Sequence, residues 1–133
     1  MKSNMALGIA GLGIILATAP LFAHHSFTAL YNTDKTVSIE GKLTQFMFRN
    51  PHSFVHVDVK EETGATTRYA IEWAGAAQLN RDGVGSAALR PGDYVIVTGN
   101  PGRNPEDHRL RMIKLKRTGD NYTWGTKPGE TFD

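Results

Sequence analysis

At 133 residues, with 40% hydrophobic and 21% charged residues, the chain has the size and composition of one ordinary globular domain. The absence of cysteine excludes disulfides, thiolate metal sites, iron–sulfur clusters and cysteine nucleophiles, which leaves chemistry to histidine, carboxylate and hydroxyl groups. Fifteen basic and 13 acidic residues balance too evenly for the electrostatic footprint of a nucleic-acid binder, so nucleic acid is not an expected partner.

Residues 1–23 read as a cleavable secretory signal peptide. Lys2 supplies the positive start, Met5 to Ala19 form an apolar run, and Pro20 breaks it before Leu21-Phe22-Ala23. The run is shorter than the ~20 residues that cross a bilayer as a helix, so no stable membrane insertion is expected after cleavage. A cut after Ala19 would leave Pro20 beside the scissile bond; the expected cut follows Ala23, giving a periplasmic or secreted protein. The mature chain then has 110 residues, begins His24-His25-Ser26-Phe27 and keeps all five histidines. Cleavage gives His24 a free α-amine, which with its own ring nitrogen forms a bidentate chelate suited to Cu(II), Ni(II) or Zn(II).

Residues 24–35 read as an N-terminal arm. From Thr36 the period is two: Val37, Ile39, Gly41 and Leu43 alternate with polar residues, and the phase then slips to Phe46 and Phe48, which predicts a long, strongly bent strand. Asn50-Pro51 ends it as a turn. A second strand is expected from Ser53 to Lys60, with Val55, Val57 and Val59 opposite Phe54, His56 and Asp58, and Glu61 to Gly64 form a hairpin loop. The third strand, Thr67 to Trp73, sets Tyr69, Ile71 and Trp73 against Arg68, Ala70 and Glu72. Ala76 to Arg81 reads as a short helix stopped by Gly83, and Leu89-Arg90-Pro91-Gly92-Asp93 turns into a fourth strand, Tyr94 to Gly99. Asn100 to Asp107 is a loop, His108 to Arg117 the fifth strand, and residues 118–133 a polar C-terminal tail from which Trp124 and Phe132 can pack back. Five strands with a helix between the third and fourth predict an all-β fold, an OB-fold-like Greek-key barrel over residues 36–117.

Three motifs carry a resemblance: Ala23-His24-His25-Ser26-Phe27 at the processing site, Asn50-Pro51-His52 after the first strand, and Leu89-Arg90-Pro91-Gly92-Asp93 before the fourth. Together they resemble a family of small secreted bacterial proteins of unknown function. The resemblance covers the mature chain and implies secretion and a barrel, but no activity. Where that pattern often has an aromatic after the helix-ending glycine, this chain has Val84.

The histidines are the sharpest candidates. His24 and His25 offer amine and imidazole donors, and His52, in the loop between the first two strands, is the barrel histidine best placed to join them around Cu(II). His52 also reads as a turn residue packed on a phenylalanine. His108, in the loop between strands four and five, is expected to border the same groove or to be a solvated loop residue; His56 reads as a half-exposed strand residue. Arg49, Asn50, Tyr69, Glu72, Arg103 and His108 are the candidate groove residues. Glu72 reads first as an ordinary surface charge, otherwise as a ligand or as the group that orients a histidine. Met47 and Met112 read as packing residues. Arg103, Arg109, Arg111, Lys114, Lys116 and Arg117 form a basic run that reads as a solvated face. No Ser-His-Asp order is recognisable, and an enzyme is not expected. Two functions stay open: a periplasmic binding protein with copper as its cofactor, or a metal-free interaction module that holds an envelope protein segment or small anionic ligand.

Overall fold

A computed structural model describes residues 27–127, 130 and 132. The expected signal peptide, His24 and His25 lie outside the described residues. The elements are β1 (Val37–Met47), β2 (Phe54–Lys60), β3 (Thr66–Glu72), the helix α1 (Ala76–Arg81), β4 (Tyr94–Pro101), a 3-10 turn at Pro105–Asp107, β5 (Arg109–Arg117) and β6 (Tyr122–Trp124).

β1 pairs antiparallel with both β2 and β4, β4 with β5, and β2 with β3. A parallel pairing of β3 with β5, from Ala70↔Arg109 to Glu72↔Arg111, closes the ring. The resulting order, β1-β2-β3-β5-β4 and back to β1, is the expected five-stranded OB-fold-like barrel, with β6 added on the far edge of β5. The predicted phase slip in β1 is a register shift between Leu43 and Gln45, which turns the strand from one partner to the other. Alternation along the strands fills the interior with Leu43, Val55, Val57, Ile71, Val95, Val97, Leu110 and Leu115, and Leu79 of α1 joins the same cluster.

Several boundaries move from their sequence expectation. β4 runs through Asn100 to Pro101, because proline is tolerated at the end of a strand, where its carbonyl is still free to accept; it takes a bond from Asn32 N at 2.9 Å. The expected tail holds β6, joined to β5 by a turn in which Asn121 takes φ 57°. Asp120 organises that turn: its carboxylate accepts from Tyr122 N and from Arg117, and these bonds hold its pKa down at about 2. The basic run is likewise not a free solvated face. Arg117 bridges Asp93 and Asp120, Lys114 pairs with Glu130 at 3.0 Å, and Arg109 and Arg111 lie over aromatic rings.

At Gly41 the backbones of β1 and β2 come so close that a Cβ would overlap the Asp58 carbonyl. Gly41→Ala is therefore expected to cost about 1–3 kcal/mol of stability through overpacking. A lowered urea midpoint at unchanged slope would show it, and an unchanged midpoint would refute the close approach.

Candidate functional site

His52 is held by a stapled loop. The cis Asn50–Pro51 peptide brings the chain round after β1, and fully buried Ser53 bonds the Arg49 backbone in both directions at 3.2 Å. The loop is tied to the segment after β3 by Ser53 N to Ala74 O, Trp73 N to Ser53 O and Ala76 N to Arg49 O, and Asn50 Oδ1 accepts from Ala77 N. Gly75 sits against the Pro51 carbonyl, where any Cβ would collide. With its backbone fixed in this way, the imidazole faces one fixed direction.

That direction is Glu72. His52 Nδ1 faces Glu72 Oε1 at 3.1 Å, while Oε2 accepts from the Tyr31 hydroxyl at 2.6 Å and lies 3.9 Å from the Arg109 guanidinium. Glu72 is only 7% exposed, which corrects the expectation of a surface charge. The reason lies in the arm: residues 27–30 form a helical turn, and Tyr31, fully buried, lies over the outer face of the sheet beside Glu72. A buried carboxylate is tolerated only when its oxygens are satisfied, and here three separate elements supply the partners. Of the two sequence alternatives, orienting a histidine is the one this geometry fits. With the imidazole proton on Nδ1, the nitrogen beside the carboxylate, the Nε2 lone pair is left for a ligand.

The arm is fixed along its length. Asn32 N donates to Pro101 O, Arg103 N to Leu30 O, and Arg103 Nε to Thr28 O; buried Asn100 donates its side-chain amide to Lys35 O at 2.8 Å. At its start the Phe27 ring meets His52 edge-on, with centroids 5.4 Å apart, and the Arg111 guanidinium covers Phe27 at 4.2 Å. A cavity of about 300 Å³ opens here, lined by Phe27, His52, Glu72, Trp73, Arg111, Met112 and Trp124 among others.

The expected groove residues divide into two groups. His52 and Glu72 line the first cavity, while Arg49, lying over the Phe54 ring, and Asn50 belong to the loop that carries His52. His108 packs edge-on against Tyr69, centroids 5.4 Å apart, and lines a second cavity of about 290 Å³ with Tyr69, Asn104 and Arg109. His52 and His108 therefore do not face one common space, and Arg103 is used to hold the arm. His56 is half-buried on β2, and Met112 is buried in the core. Among the described residues no three histidine, aspartate or glutamate side chains converge as a metal site. Sequence reasoning missed Phe27, Tyr31 and Arg111 as site residues; the one signal available was the pair of aromatics in a short arm.

Burial first, then the hydrogen bond to Glu72, raises the Tyr31 hydroxyl above the ordinary tyrosine pKa of 10.0. The folded state thus keeps a proton that the unfolded chain releases, and the stability this contributes is complete below pH 10 and lost as pH rises above it. Tyr31→Phe leaves Glu72 short of a donor and is expected to cost about 1–3 kcal/mol at neutral pH. The variant should also lose part of the alkaline slope in a series of melts between pH 8 and ~11, measured against the same window for the parent chain.

Comparison with known proteins adds no activity to this geometry. Two crystal forms of the mitochondrial single-stranded DNA binding protein Rim1 from S. cerevisiae are similar in structure. They align at TM-score 0.47 with 16% and 15% identity, over 63% of this chain and 94% and 92% of theirs. No curated protein matches in sequence. Residues 13–111 match the family of unknown function DUF6152, a span that takes in the arm, the His52 loop, Glu72 and Arg111, and the chain belongs to that family.

Proposed function

We propose that the protein is a small exported binding protein, periplasmic or secreted, which in its processed form takes Cu(II) or another divalent metal through His52 Nε2 together with His24 and His25. The observation that carries this reading is the presentation of His52: a rigid loop, a buried carboxylate at Nδ1 and the Phe27 ring against its side. Carboxylate–imidazole pairs of this kind fix the ring and raise its basicity as a ligand. The connection to the terminus is short. At ~3.3–3.6 Å per extended residue, the two residues between His24 and Phe27 leave the chain long enough to bring amine and imidazole donors to a ring that Phe27 already touches.

Arg111 adds positive charge nearby, and the Glu72 carboxylate beside the imidazole offsets it. The proposed role is carriage or buffering, without a catalytic step. Nucleic acid is not proposed as partner. OB-folds hold oligonucleotides on the face of strands two and three and the loops beside it, and here Phe27 and Tyr31 cover the adjoining part of that face.

The test is a Cu(II) titration against a competing chelator, using protein that begins at His24, the same protein with its N-terminal amine acetylated, and His52→Ala. Loss of at least tenfold in affinity, about 1.4 kcal/mol, is expected for each variant. Equal, weak binding by all three overturns the metal reading and leaves a metal-free interaction module. Mass spectrometry of the exported protein is expected to show His24 first; any other start removes the chelate.

A further inference from the structure

The cavity beside His52 contains two donors that the other described residues leave unused. Arg111 is half-buried and stacks on Phe27, yet forms no ion pair with any carboxylate among the described residues. Trp73 is 3% exposed, lines the same cavity, and its indole Nε1 has no hydrogen-bond partner among the described residues. Buried polar groups are almost always paired; this indole N–H lacks an acceptor, and because the nitrogen carries almost no accessible surface, a ligand in the cavity reaches it only with a small shift of the rings that cover it. Apart from His52 and Glu72, the remaining wall is apolar and aromatic. Trp124 packs edge-on against Trp73 at 5.0 Å, and Phe27 and Met112 complete the surface.

We propose that this cavity binds a small organic anion with a planar apolar body, its carboxylate taken by Arg111 and the Trp73 N–H. The volume of about 300 Å³ sits at the lower end of small-molecule sites and suits a one- or two-ring acid. Among the described residues Glu72 is the one carboxylate on the wall, and its oxygens are already engaged by Tyr31, His52 and Arg109. A single guanidinium with one neutral donor matches a carboxylate; a phosphate carries more charge and hydration than these two groups replace. The proposal does not rest on the metal reading, since neither Arg111 nor Trp73 can ligate a cation.

The experiment uses the exported, processed protein in excess EDTA, with naphthoate as the probe and the neutral naphthamide as control, followed by calorimetry and heteronuclear NMR. Expected are saturable binding of one naphthoate per chain, a shift of the Trp73 indole N–H resonance, and at least tenfold weaker binding of the amide. Arg111→Gln should lose at least tenfold while Arg111→Lys recovers part of it, and Trp73→Phe should weaken binding several-fold. If Trp73→Phe fails to fold, the Arg111 pair and the indole resonance decide the matter alone. Absence of saturation up to ~1 mM, a range that detects even weak complexes, overturns the proposal, as does binding indifferent to Arg111→Gln or shifts centred on Tyr69 and His108. Because EDTA is present throughout, failure here leaves the copper titration untouched, and failure there leaves this result untouched.

Discussion

The arrangement around His52 depends on one buried carboxylate. Glu72 has two oxygens, and the fold divides them: one faces the loop histidine, the other receives the arm tyrosine with the β5 arginine behind it. Left without these partners, a charge in this position would cost several kcal/mol. The carboxylate therefore couples three segments that are distant in sequence, and the orientation of the imidazole is inseparable from the docking of the arm.

The rest of the face follows from that coupling. The row Phe54, Glu72, Arg111 and Asn100 runs across β2, β3, β5 and β4 in register. Along it, Phe54 carries Arg49, Glu72 gathers its three partners, Arg111 covers Phe27, and Asn100 ties down Lys35. The arm is thus fastened at both ends to one line of side chains. What remains uncovered is the cavity between Phe27 and the two tryptophans, with the Arg111 guanidinium and the Trp73 indole on its wall.

The barrel was legible in the sequence because inward and outward residues alternate in β1 to β5 and the phase slip before Phe46 marked the bend. His52 was legible as a candidate because it follows Asn50-Pro51 in a connecting loop. Glu72 was a candidate as well, but its burial was not legible, since it falls on the polar phase of β3 and only a tyrosine 41 positions earlier makes that phase an interior. Arg111 was hidden in a run of basic residues whose individual partners no periodicity reveals. β6 was missed because three residues are too few to alternate; its signal was the Asp120-Asn121 turn, with one residue to bind the preceding arginine and one able to take positive φ. Tyr31 is the clearest case of tertiary context overriding local reading: an aromatic in a short arm carries no period, yet it is among the most buried side chains described.

β1 is the hinge of the whole closure. Its first half, Val37 to Lys42, pairs with β4, and from Lys42 to Met47 it pairs with β2, so Lys42 alone contributes to both ladders. A barrel joined in this way has no sheet that can separate by itself, because either half of β1 leaving its ladder drags the shared residue from the other. Loss of pairing at this bend therefore disturbs both ladders together, so a small domain without a single covalent cross-link has its two halves of sheet coupled through one stretch of backbone.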